Sequence, residues 1–121
     1  MVGNQSEKAG DGMNVGKAII TALSSLKLPV YQTQYTGTDK TYFVFNIGTV
    51  PADFADDLPQ HERASIQLHL FCPVATNTTS LRDQVKQLLT EAGFDYPSLV
   101  DASDEDGQHV VWQTGCGYGS V

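Results

Sequence analysis

From Ala64 onward the apolar side chains Ala64, Ile66, Leu68, Leu70 and Cys72 fall on every second position, while Ser65, Gln67, His69 and Phe71 take the alternate positions. A period of two over nine residues fits a strand with one buried face and excludes a helix. Pro73 ends it. The polar run Thr76, Asn77, Thr78, Thr79 follows, and Ser80 with Asp83 has capping-box spacing, so Ser80 is the expected N-cap of a helix. In that helix Leu81, Val85, Leu88, Leu89 and Ala92 form one stripe, Gly93 stands where a left-handed C-terminal cap belongs, and Phe94 is placed to fold back on the last turn. This strand and helix need a sheet to complete them, so the rest of the chain is read as layers added to the unit.

Upstream, Val15, Ala18, Ile19, Ala22, Leu23 and Leu26 keep helical spacing from about Asn14 until Pro29. Val30 to Tyr35 alternates as a strand with a polar face, the tetrad Thr36, Gly37, Thr38, Asp39 predicts a turn, and Tyr42 to Ile47 predicts a second strand with Phe43, Phe45 and Ile47 on one side. Together the two strands predict a hairpin. Gly48 to Glu62 carries Pro51, Asp53, Asp56, Asp57 and Pro59 and reads as a long acidic connection, a kind of segment that is often functional. Beyond the second helix, Ser98 to Ala102 and His109 to Thr114 predict a final hairpin around the turn 103–107. Residues 1–12 read as a disordered segment, with Met13 a natural start, 13–114 as a single α/β domain, and 115–121 as a flexible Gly-rich tail.

The expected fold is α+β: a mixed, mostly antiparallel sheet of about five strands with two helices packed on one face. Two helical stripes cannot cover both faces of such a sheet. The other face should lie open and carry some of Tyr31, Tyr35, Tyr42, Gln67, His69 and Phe71, a polar surface with aromatics that suits contact with another protein. The expected interface set is therefore Tyr31, Tyr35, Gln67, His69 and Phe71 from this face, Asp53, Asp56 and Asp57 from the long connection, and Trp112. For Trp112 a core anchor is the default, and an interface anchor is the other option.

The charge balance, 7 Lys and Arg against 14 Asp and Glu, leaves no basic cluster to bind a phosphate backbone, so specific nucleic-acid binding is not expected. No apolar run approaches a membrane span, and no signal-peptide core is present, so no membrane contact and a cytosolic site of synthesis are expected. Cys72 and Cys116 read as buried thiols. His61, His69 and His109 lack metal-ligand spacing and read as surface or interface residues. Asp101, Asp104, Glu105 and Asp106 lack the order of a calcium loop and read as a solvated turn. Ser24 and Ser25 sit in no nucleophile elbow, and the glycines at 115, 117 and 119 have no helix behind them to hold a phosphate. No catalytic residue, metal or cofactor is expected.

Four segments, MNVGKAIITALSSLKLPVYQTQY, TYFVFNIG, ASIQLHLFCPVATNTTSLRDQVKQLLTEAGF and DEDGQHVVWQT, together resemble the tail terminator, or tail-completion, proteins of long-tailed bacteriophages. The resemblance spans about Met13 to Thr114. It rests mostly on Pro29, Val30 and Tyr31 after the first helix, on Ala92, Gly93 and Phe94 at the end of the second, and on the acidic turn with Gly107 and His109. It implies a virion structural protein that closes into a homo-oligomeric ring, commonly of six copies. Such a ring caps the tail tube and joins it to the head at the neck, after assembly in the host cytoplasm. The implied partners are other copies of itself, the tail tube protein and a head-tail connector or head completion protein. An acidic wall would let DNA pass through such a ring without sticking. The Gly-rich end after Thr114 departs from relatives that often continue there as strand. Two other readings stay open: another connector or tube subunit, and a small-ligand-binding regulatory domain using Gln67 and His69. A hydrolase built on the acidic hairpin is the weakest.

Overall fold

The computed structural model describes residues 14–55 and 58–117, and of 52–55 and 58–61 the backbone path alone. Helix α1 (Val15–Leu23) runs into a 3-10 turn over Ser24–Leu26, which Lys27 ends with a left-handed φ of 58°. Strands β1 (Val30–Gln32), β2 (Tyr42–Ala55) and β3 (Leu58–Cys72) come next. Helix α2 (Thr79–Glu91) and strands β4 (Ser98–Asp101) and β5 (Gln108–Gly117) complete the chain. The sheet has five strands in the order β1-β2-β3-β5-β4, with β1 parallel to β2 and all other pairs antiparallel. The fold is α+β, as expected. No helix among the described residues is long and apolar enough to cross a membrane.

Both helices cover the same face. Val15, Ile19 and Leu23 of α1 and Val85 and Leu89 of α2 share one core with Phe43, Phe45, Ile66, Leu68, Leu70, Val110 and Trp112 of the sheet. The alternation through β3 holds, since Ala64, Ile66, Leu68, Leu70 and Cys72 are all buried. Gly93 adopts φ 103°, and the Phe94 N–H donates back to the Leu89 carbonyl at 3.0 Å, which seats the Phe94 ring in the core. Helix α2 starts earlier than Ser80: Thr78 is the N-cap, and Asn77 Oδ1 accepts the Thr79 N–H at 3.1 Å. The Thr78 hydroxyl is engaged elsewhere, donating to Gln108 Oε1 and accepting from Arg82 Nε, so it ties the helix start to β5.

Three expectations about the strands are corrected. The segments at 30–35 and 42–47 do not form a hairpin: β1 stops at Gln32 and lies parallel to β2 in the register Val30↔Phe43. The break falls at Thr33, whose φ of 76° turns the chain while its N–H still donates to the Phe45 carbonyl. The stretch from Gly48 to Glu62 is not an irregular connection. β2 and β3 continue through it, pairing from Gly48↔Ser65 to Ala55↔Leu58. Pro51 and Pro59 argue against a central strand because they cannot donate to a ladder. Pro51 is tolerated because the odd-numbered residues of β2 face away from β3, as the Phe43 N–H and the Phe45 carbonyl do toward β1, and among the described residues no strand lies beside β2 at that point. Pro59, opposite Phe54, faces β2 and costs the ribbon one ladder hydrogen bond. Finally, β5 continues through Gly115, Cys116 and Gly117, opposite Ser65, Ala64 and Arg63. A Cβ at position 115 would lie 2.7 Å from the Ala64 carbonyl oxygen, so glycine is what lets these two strands approach. The expected disordered segment 1–12 and the remainder of the tail, 118–121, lie outside the described residues.

Candidate functional site: the open face of the sheet

The face away from the helices is organised by strand register into rows. Tyr42, Phe71 and His109 stand side by side on β2, β3 and β5. The next row is Val44, His69, Val111 and Val100, and the next is Asn46, Gln67, Gln113 and Ser98. Small residues follow, Gly48, Ser65 and Gly115. The chemistry thus passes from aromatic to apolar to amide across the sheet. No Asp, Glu, Lys or Arg stands in the first three rows. The nearest ion pair is Arg63 with Asp95, beyond the row of small residues.

The aromatic end is a continuous stack. Tyr31 meets Tyr35 at 4.9 Å between ring centroids, Tyr35 lies on Tyr42 at 4.0 Å and 12°, Tyr42 meets Phe71 at 5.3 Å, and Phe71 meets His109 at 4.3 Å. Such contacts contribute beyond the area they bury. Tyr35 reaches the stack from the connection 33–41. Its hydroxyl donates to Asp39 Oδ2 and accepts the Asp39 N–H, fixing the ring from behind. Tyr31 stays 42% exposed, so the stack ends at solvent.

His69 and His109 close the other end. Their rings lie 5.1 Å apart, and His69 Nδ1 and His109 Nε2 are 2.8 Å from one another, so one imidazole N–H donates to the other's ring nitrogen. Partial burial, and then the charge His109 would carry, hold the His69 pKa below the usual histidine value. Burial also pushes the Cys72 and Cys116 thiols up, and neither forms a disulfide.

The expected interface residues divide into three groups. Tyr31, Tyr35, Gln67, His69 and Phe71 all reach the open face, although Gln67 and His69 stand in different rows and line different concavities. They do not converge as one ligand's contacts. Trp112 is corrected: it is 0% exposed beneath α2, with its indole N–H donating to the Arg82 carbonyl at 3.2 Å, so it anchors the core. The side chains of Asp53, Asp56 and Asp57 lie outside the described residues. The face also holds residues outside the expected set, Val44, Val100 and Val111 in one row and Asn46, Gln113 and Ser98 in the next, and it links His109 to His69. Alternation in β2 and β5 points to these residues, but only the register brings them together.

No protein-family model matches the chain, and no curated protein matches it. Among solved structures, one aligns over 84% of this chain and 90% of its own, with a TM-score of 0.54 at 16% identity. At that identity the likeness establishes a shared fold alone.

Proposed function

We propose that this protein is a tail terminator: a virion structural subunit that forms a ring, caps the tail tube of a long-tailed phage and joins it to the head. The observation that carries this reading is the β2–β3 ribbon. Beyond Pro51↔Glu62 the two strands continue with no third strand beside them among the described residues. A two-stranded ribbon in water is marginal by itself and gains stability when something packs against it. A neighbouring subunit supplies that cover. The ribbon and the open face are different patches on one subunit, and a ring needs two different patches because its contacts are heterologous. The resemblance over Met13 to Thr114 supplies the tail-end assignment, and the partners follow from it: other copies, the tube protein and a connector on the head side. On this reading the chain has a structural role without turnover.

The test is solution mass by light scattering across a concentration series, with negative-stain imaging of any large species and of purified tail tubes mixed with the protein. Rings with a central hole, or density capping tube ends, are the expected result. A protein that stays monomeric and leaves tube ends bare overturns the reading. A shortened variant, with Ala52 joined to His61, a hydrogen-bonded pair, through an Asn-Gly turn, should keep the monomer's circular dichroism and lose the rings.

A further inference from the structure

The chain carries a formal net charge of −7, so two copies repel unless they meet where neither presents charge. The three rows from Tyr42–Phe71–His109 to Asn46–Gln67–Gln113–Ser98 are such a surface. The amides of its third row are donors and acceptors at once, so a copy of this chain can satisfy them, and the stacked rings of the first row offer flat apolar area. Within these rows only the histidine pair can take up a positive charge near neutral pH; Lys40, Asp104 and Asp106 stand at the rim beside Tyr42 and His109. We propose that the open face docks a second copy of this chain, and that one proton taken up by the His69–His109 pair releases it. The inference rests on the ring reading only in taking another copy as the partner.

The pair is built to be neutral in the docked state. At 2.8 Å the two nitrogens share one hydrogen, and the flanking Phe71 ring and the Val44–Val111 row offer no anion to neutralise a second. From β2 and the connection 33–41, the titratable groups facing His69 are the phenols of Tyr42 and Tyr35. Beside His109 a concavity of about 520 Å³ is lined by Lys40, Tyr42, Asp104 and Asp106. Ordinary carboxyls, phenols and amines change charge outside the range from about pH 5.5 to 7.5. Within that range the histidines alone switch. Covering the face removes water that would solvate an imidazolium, so the docked state binds the proton more weakly than the free subunit. Association is therefore full above the free histidines' titration range and falls as pH drops through it, up to about tenfold per pH unit for each proton excluded.

The experiment is sedimentation velocity and light scattering of the full chain from about pH 7.5 to 5.5 at fixed ionic strength. The wild type is run beside the double variant His69→Gln/His109→Gln and a second double variant, His69→Phe/His109→Phe, which keeps the stacked rings. The expected result is an oligomer that dissociates on acidification in the wild type and persists in at least one double variant. Rings that ignore pH overturn the inference and leave the ring reading standing. Dissociation of both double variants in step with the wild type also overturns it. Face-to-face dimers that respond to pH support the inference and overturn the ring. A monomer at every pH overturns the docking face, and the capping of tail tubes then judges the terminator reading separately.

Discussion

Phe43, Leu70 and Val110 stand in register across β2, β3 and β5 and are each 0% exposed. One residue along each strand, Tyr42, Phe71 and His109 stand in register too, yet they are only partly buried. The same three strands therefore present two rows of similar bulk. The first is enclosed by α1 and α2, while the second rests only on its own stacked neighbours. The helices are a lid for one face, and among the described residues no element lies over the other. Folding and association should then be separable by mutation, because each draws on a different side of the same backbone.

The largest break in that comparison comes from the enclosed face. Trp112→Ala removes the largest fully buried side chain and the hydrogen bond to the Arg82 carbonyl, and should cost about 3–5 kcal/mol in chemical denaturation. A cost below about 1 kcal/mol would mean that the core closes elsewhere. Gly115→Ala tests the backbone shared by both faces. With 2.7 Å to the Ala64 carbonyl, the new methyl must push β5 from β3, and a loss of about 1–3 kcal/mol is expected from the denaturation midpoint. Phe71→Ala should cost the monomer less, about 1 kcal/mol from its ring contacts with Tyr42 and His109, while abolishing assembly seen by light scattering. Equal effects on monomer and assembly would erase the distinction between the faces.

The smallest effect lies at the sheet edge. Asp101 accepts from the Ser103 hydroxyl and N–H and pairs with Arg82 of α2, and these contacts hold its pKa down at about 2 against an ordinary 3.8. A depressed carboxyl contributes stability that is full above its unfolded value and disappears as pH falls through its folded value. The contribution should thus be lost between about pH 4 and 2, and Asp101→Asn should flatten stability over that interval. An NMR titration of the Asp101 side chain with its midpoint near the ordinary value would contradict the contacts.

Much of this plan was legible in local sequence. The period of two in Ala64–Cys72, the stripe Leu81–Ala92 and the Gly93 cap each act within a few residues, and local patterns report local physics. The parallel placement of β1 was not legible, because Val30–Gln32 has no side-chain pattern that distinguishes a parallel neighbour from an antiparallel one. The ribbon was hidden by its own composition, since Pro51, Asp53 and Pro59 carry the marks of a loop wherever both sides of a strand must pair. Tyr31, Tyr35, His69 and Phe71 could be assigned to the open face from alternation. The 2.8 Å contact between His69 and His109 joins residues 40 apart in sequence, and only the β3–β5 register creates it. Trp112 remained ambiguous because a large indole serves a core and an interface equally well until α2 is seen lying over it.

The ribbon has a further consequence for the subunit before it meets a partner. A long pair of strands with bare outer edges is a template on which stray chains can add, the usual route from a strand edge to aggregation. Pro51, whose nitrogen faces outward from β2, has no N–H to offer an incoming strand. That position acts as a gatekeeper on the outer edge of β2, where strand addition would otherwise begin.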